Sequence, residues 1–151
     1  MARRKKKDAL NLKRCLELLR SRDAMTQEEG YFTLLPHVNE YLDALITALQ
    51  AEKHLLMQRS LLELIAASGE PASFPVLLEY FFTSDDWLQT WARSGLAELR
   101  KTSGGRRILW QIHFQGVEIP PSVEYTAADV RAFQEYVAQL LAGERRDCAQ
   151  Q

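Results

Sequence analysis

The feature that most constrains this chain is an internal echo 32 residues apart. Leu45 recurs as Leu77 and Leu109, Ala44 as Val76 and Ile108, and Ile46 as Leu78 and Trp110. Further on, Leu56 is echoed by Leu88, Ser60 by Ala92 and Leu64 by Leu96. A unit of this length holds two short helices, and neither can bury its apolar stripe alone. Stacked copies cover one another, so the spacing predicts an α-solenoid, whose extended surface suits binding more than chemistry.

The local pattern supports helices throughout. Leu12, Cys15, Leu16 and Leu19 fall at i, i+3, i+4 and i+7, one face of a helix capped by Asp8 and ending near Ser21. Residues 23–30 are polar, end in Gly30 and read as a connection. Pro36 suits a first helical turn, and Val38, Tyr41, Leu42, Leu45, Ile46 and Leu49 carry that helix onward. The next helix, about 54–67, is apolar on most sides, which predicts that it is sandwiched between neighbours. Gly69 and Pro71 stop it.

Pro75 opens another pair. Its second helix is expected to be capped by Ser84 and to carry Trp87, Leu88, Trp91, Ala92, Leu96 and Leu99. Gly95 weakens that helix by about 1 kcal/mol against alanine, a cost that close approach of a neighbour would explain. Thr102 to Gly105 reads as a break, 106–113 as a short helix and 114–125, with Gly116 and Pro120-Pro121, as an extended insertion. Thr126 and Asp129 form a capping box for a last helix that Gly143 should end.

The Pro-initiated helix, the short acidic turn and the second helix with Leu88, Ala92, Leu96 and Leu99 resemble HEAT-type repeats, in the compact form named for phycobilisome lyases. The likeness is carried by 74–99; 38–67 is a second copy and 106–141 a third with an insertion. It implies an all-α fold, a right-handed α-solenoid of about three HEAT-like helix pairs with an additional N-terminal helix. One repeat domain would span 8–143, between a basic flexible tail at 1–7 and a flexible tail at 144–151. The resemblance further implies a non-catalytic protein-binding module of bacterial type: an adaptor, a scaffold or a toxin-immunity protein using the inner surface of its second helices. The lyase name raises the alternative of an enzyme or enzyme accessory factor, since those relatives act on bilins.

Charge narrows the partners. The net charge is −1, but Arg3, Arg4, Lys5, Lys6 and Lys7 crowd the start and leave 14 basic against 20 acidic residues elsewhere. An acidic body disfavours general nucleic-acid binding. The basic arm alone could give weak, salt-sensitive nucleic-acid contact, a second alternative. The two cysteines, Cys15 and Cys148, form no disulfide framework, and neither a signal peptide nor an apolar run of membrane-spanning length is visible. A cytoplasmic location is expected, with no membrane.

Chemistry-bearing groups are sparse. The histidines are His37, His54 and His113. His37 and Glu40 share a helix face three residues apart, but two ligands do not make a metal site. The dinuclear-iron hydroxylases with HEAT-like repeats use several His-Glu dipeptides, and this chain has none. His113 reads as a histidine meeting the last carbonyls of its helix, and Trp110 as core. No catalytic residue, cofactor or metal is therefore expected. The candidate contact residues are Trp87 and Trp91, one turn apart, with Arg59, Glu63, Gln89 and Arg93 as polar surroundings.

Overall fold

The computed structural model describes residues 11–121 and 123–150 and is all-α over that span. Helices α1 (Leu12–Leu19), α2 (Ala24–Leu34), α3 (Leu42–Ala51), α4 (Leu55–Ala66), α5 (Phe74–Phe81), α6 (Asp86–Leu99), α7 (Ser103–Gln115) and α8 (Ala127–Gln150) follow in order. Short 3₁₀ turns, Leu35–His37 and Pro71–Ser73, precede α3 and α5. Successive helices pack as hairpins: α1 with α2, α3 with α4, α5 with α6 and α7 with α8. The second members also touch, α2 against α4 and, far more intimately, α4 against α6.

The largest departure from expectation is α2, which occupies what reads as a polar connection. Its buried residues are Gly30 and Leu34, too few for a visible stripe. Gly30 is the reason the helix fits. A Cβ there would lie 2.8 Å from the Cys15 carbonyl oxygen and 2.9 Å from the Leu18 Cβ, so α1 and α2 meet through a bare backbone. The N-terminal helix accordingly has a partner of its own. Helix α3 also starts later than Pro36 suggests, because Pro36 sits in the 3₁₀ turn.

The second helices keep strict time. Their N-caps are Asp23, His54 and Asp85, each 31 residues from the next. Asp85, not Ser84, accepts from the Leu88 N–H at 2.9 Å. Four residues after each cap stands a glutamine that reaches back over the loop: Gln27 donates to the Ser21 carbonyl, Gln58 to that of Glu52 and Gln89 to that of Phe81, at 2.6, 2.8 and 3.0 Å. Leu34, Ile65 and Leu96 follow, all fully buried. First helices instead repeat at 32, with Leu45, Leu77 and Leu109 fully buried. The pairing of Leu56 with Leu88 is thereby corrected. Leu56 is 56% exposed and Leu88 3%; the buried equivalent of Leu88 is Met57. The α3–α4 loop is one residue shorter than the α5–α6 loop, which shifts the phase.

Close approach explains Gly95. Its Cβ would meet Leu77 at 2.5 Å and the Ala66 Cα at 3.1 Å. Helix α4 packs on α2, α3 and α6 but is not fully sandwiched, since Leu55 and Leu56 remain exposed on its open side. The loops at the opposite end are stitched side to side: Asn39 Nδ2 donates to Glu70 Oε1 at 3.2 Å, and Thr102 Oγ1 donates to the Gly69 carbonyl at 2.8 Å.

Thr102 to Gly105 is not a break. Thr102 is the N-cap of α7, its hydroxyl accepting from the Gly105 N–H at 3.0 Å. The expected insertion 114–125 starts later, because Phe114 and Gln115 still belong to α7; residues 116–121 and 123–126 are non-helical. It delays α8, whose capping box forms in both directions, Thr126 N–H to Asp129 at 2.8 Å and Asp129 N–H to Thr126 at 3.1 Å. Helix α8 does not stop at Gly143. Gly143 lies against Arg100, with 3.0 Å from a would-be Cβ to Nη1, so the glycine admits a crossing side chain. Both terminal helices are one-sided. Cys15 and Leu19 face inward from α1 and Lys13, Arg14 and Glu17 outward; Phe133, Val137 and Leu141 face inward from α8 and Arg131, Gln134 and Glu135 outward.

Candidate functional site

The open side of α2, α4 and α6 carries most of the residues singled out by sequence. Trp87 lies in the first turn of α6 and is 58% exposed. Arg59, from α4, sits over its ring, with Cζ 5.7 Å from the centroid. The guanidinium is anchored by Asp85, Nη2 to Oδ2 at 2.9 Å, while its Nε is buried without a hydrogen-bond partner. Arg59 holds the Asp85 carboxyl below its ordinary value, aided by the Leu88 N–H. The N-cap of α6 thus serves as the pin for a cation–π pair across two helices.

Trp91 follows one turn on, half-buried and packed against the core. Gln89 holds the loop carbonyl of Phe81. Arg93 lies elsewhere, over Phe81 and Tyr136 at 5.4 and 5.6 Å, where α5, α6 and α8 meet. Tyr136 donates to the Arg93 carbonyl at 2.8 Å, and Arg100 to that of Leu140 at 3.1 Å. The six candidates therefore divide: Arg59 and Trp87 form one exposed feature, and Arg93 belongs to the α8 junction.

Glu63 has a partner that sequence does not reveal, the phenol of Tyr31 on α2. Burial pushes the Glu63 carboxyl up, and the Tyr31 hydrogen bond partly offsets this. Burial, the Glu63 charge and the same hydrogen bond push Tyr31 up to about 12. The pair joins α2 to α4, which approach each other less closely than α4 and α6 do. A cleft results, flanked by Phe32, 63% exposed, and by Leu56.

The histidines stay apart. His37 faces Glu40 at 3.4 Å on the surface. His54 is the α4 N-cap, with no side-chain hydrogen bond to the helix. His113 is exposed, its ring edge-on to Trp110 and Phe114, which stack at 5.4 Å. Trp110 is half-buried instead of core. Among the described residues, no three His, Cys, Asp or Glu converge as metal ligands, and no helix is long and apolar enough to cross a membrane. The basic block Arg3, Arg4, Lys5, Lys6 and Lys7 lies outside the described residues. Comparison with protein-family models, with curated proteins and with solved structures finds no match for this chain.

Proposed function

We propose that this chain is a non-catalytic protein-binding module of the cytoplasm, built as a short right-handed HEAT-like solenoid. The 31-residue register of caps and loop glutamines supports that architecture and counts α1–α2 as a full unit. The observation that carries the function is Trp87. A tryptophan standing mostly in solvent costs hydration free energy unless something covers it. Here it is also oriented by an arginine that a capping aspartate holds still. Rigid aromatic and arginine anchors are what protein interfaces use most.

Capture of partners from the native host with the full chain tests this. Trp87→Ala should weaken the captured complex by at least about tenfold, a hot-spot effect of order 2 kcal/mol, with the melting temperature unchanged. Trp91→Ala should lower the melting temperature, because that ring packs on the core. Unaltered capture by Trp87→Ala would overturn the assignment.

A further inference from the structure

The cleft between α2 and α4 says more about the partner. Two adjoining cavities, about 710 and 280 Å³, share Leu19 and Gln27. The larger is lined by Arg20, Arg22 and His54 over an apolar floor of Leu19, Leu56 and Met57. Arg20 is paired with the Glu52 carboxylate, and Arg22 and His54 are exposed at the same end. The smaller cavity is lined by Glu28 and Glu63 with Tyr31 and Phe32. Neither carboxylate has a cationic partner among the described residues. The cleft therefore carries the Arg22 guanidinium and the His54 imidazole at one end, the Glu28 and Glu63 carboxylates at the other, and apolar side chains between.

We propose that the α2–α4 cleft binds a peptide segment of a partner protein in one direction, with an acidic side chain at the Arg22–His54 end, a basic one at the Glu28–Glu63 end and apolar side chains between. This rests on the protein-binding reading and names the partner's chemistry. The charges on the two sides are complementary, and reversal of the segment places like charges together, which is how interfaces fix orientation. Length follows from the helix. His54 and Glu63 are nine residues apart on α4, about 13 Å along its axis. Extended chain advances about 3.3 Å per residue, so the acidic and basic residues stand about four positions apart. A cation at the acidic end also meets two aromatic rings, which adds a cation–π attraction.

The test is selection of a random dodecapeptide library against the full chain, followed by titration of the enriched peptides. Enriched peptides should carry an acidic and a basic residue about four positions apart, in a fixed order, around apolar residues. Arg22→Glu and Glu28→Lys, both at exposed positions, should each weaken binding at least tenfold without moving the melting temperature. Selection against the double variant should enrich the opposite charge order. No enrichment, or enriched peptides indifferent to both charge changes, overturns the cleft. The outcome also separates the two readings. Peptides lost with Trp87→Ala but indifferent to Arg22→Glu and Glu28→Lys would sink the cleft and leave the module standing; indifference to all three would sink both.

Discussion

At the scale of single residues, the Tyr31–Glu63 pair sets the clearest expectation. A tyrosine whose folded value is about 12 against about 10 unfolded gives stability that is complete below pH 10. That stability is lost as the pH rises toward the folded value. Glu63, raised by burial, has the same sign: its contribution is full below the unfolded carboxylate value and fades as the pH climbs through the folded one. Glu52 and Asp85 run the other way. Held down by Arg20 and Arg59, they stabilise fully above about pH 4, and that is lost as the pH falls through their depressed values. The measurable consequence is in phenolate absorbance. Tyr31→Phe should remove one late-ionising group, and Glu63→Gln should bring Tyr31 down while burial keeps it above the ordinary value. A titration curve unchanged by either substitution would disprove the pairing.

At the scale of elements, the telling comparison is among the caps of α2, α4 and α6. Asp23 and Asp85 accept from the N–H groups of Thr26 and Leu88, at 3.2 and 2.9 Å. His54, at the equivalent place, makes no such bond. His54→Asp should restore the cap and stabilise the protein by about 0.5–2 kcal/mol, read as a higher melting temperature; an unchanged or lower one refutes the equivalence. The same elements show what sequence alone can and cannot reveal. Helix α4 is readable as central because apolar residues cover most of its sides, though Leu55 and Leu56 stay exposed, and the Thr126–Asp129 box is readable because its chemistry is local. Helix α2 is hidden because a glycine and one leucine do the burying, so no stripe is left to detect. The half-wrong echo has a related cause. A loop one residue shorter moves every later position by about 100° around the helix axis, enough to turn Leu56 outward where Leu88 points in. The Arg59–Trp87 contact and the Tyr31–Glu63 pair join different helices, so no spacing within one helix announces them.

At the scale of the whole molecule, cohesion is uneven. Helices α4, α5 and α6 meet closely at Ala66, Leu77 and Gly95, whereas the α1–α2 hairpin leans on α4 more lightly. Protection from exchange follows how well neighbouring helices cover a segment. Amide hydrogen exchange should therefore be slowest in α4–α6 and markedly faster in α1–α2; equal protection throughout would contradict the uneven packing. The outward polarity of α1 and α8 has a further consequence. A row of helix pairs is in principle endless, since each greasy flank invites the next copy. Among the described residues, α1 and α8 each turn charged side chains outward, so neither of those two faces invites a second copy to stack on it. Such polar faces work against growth of the described helices into a filament.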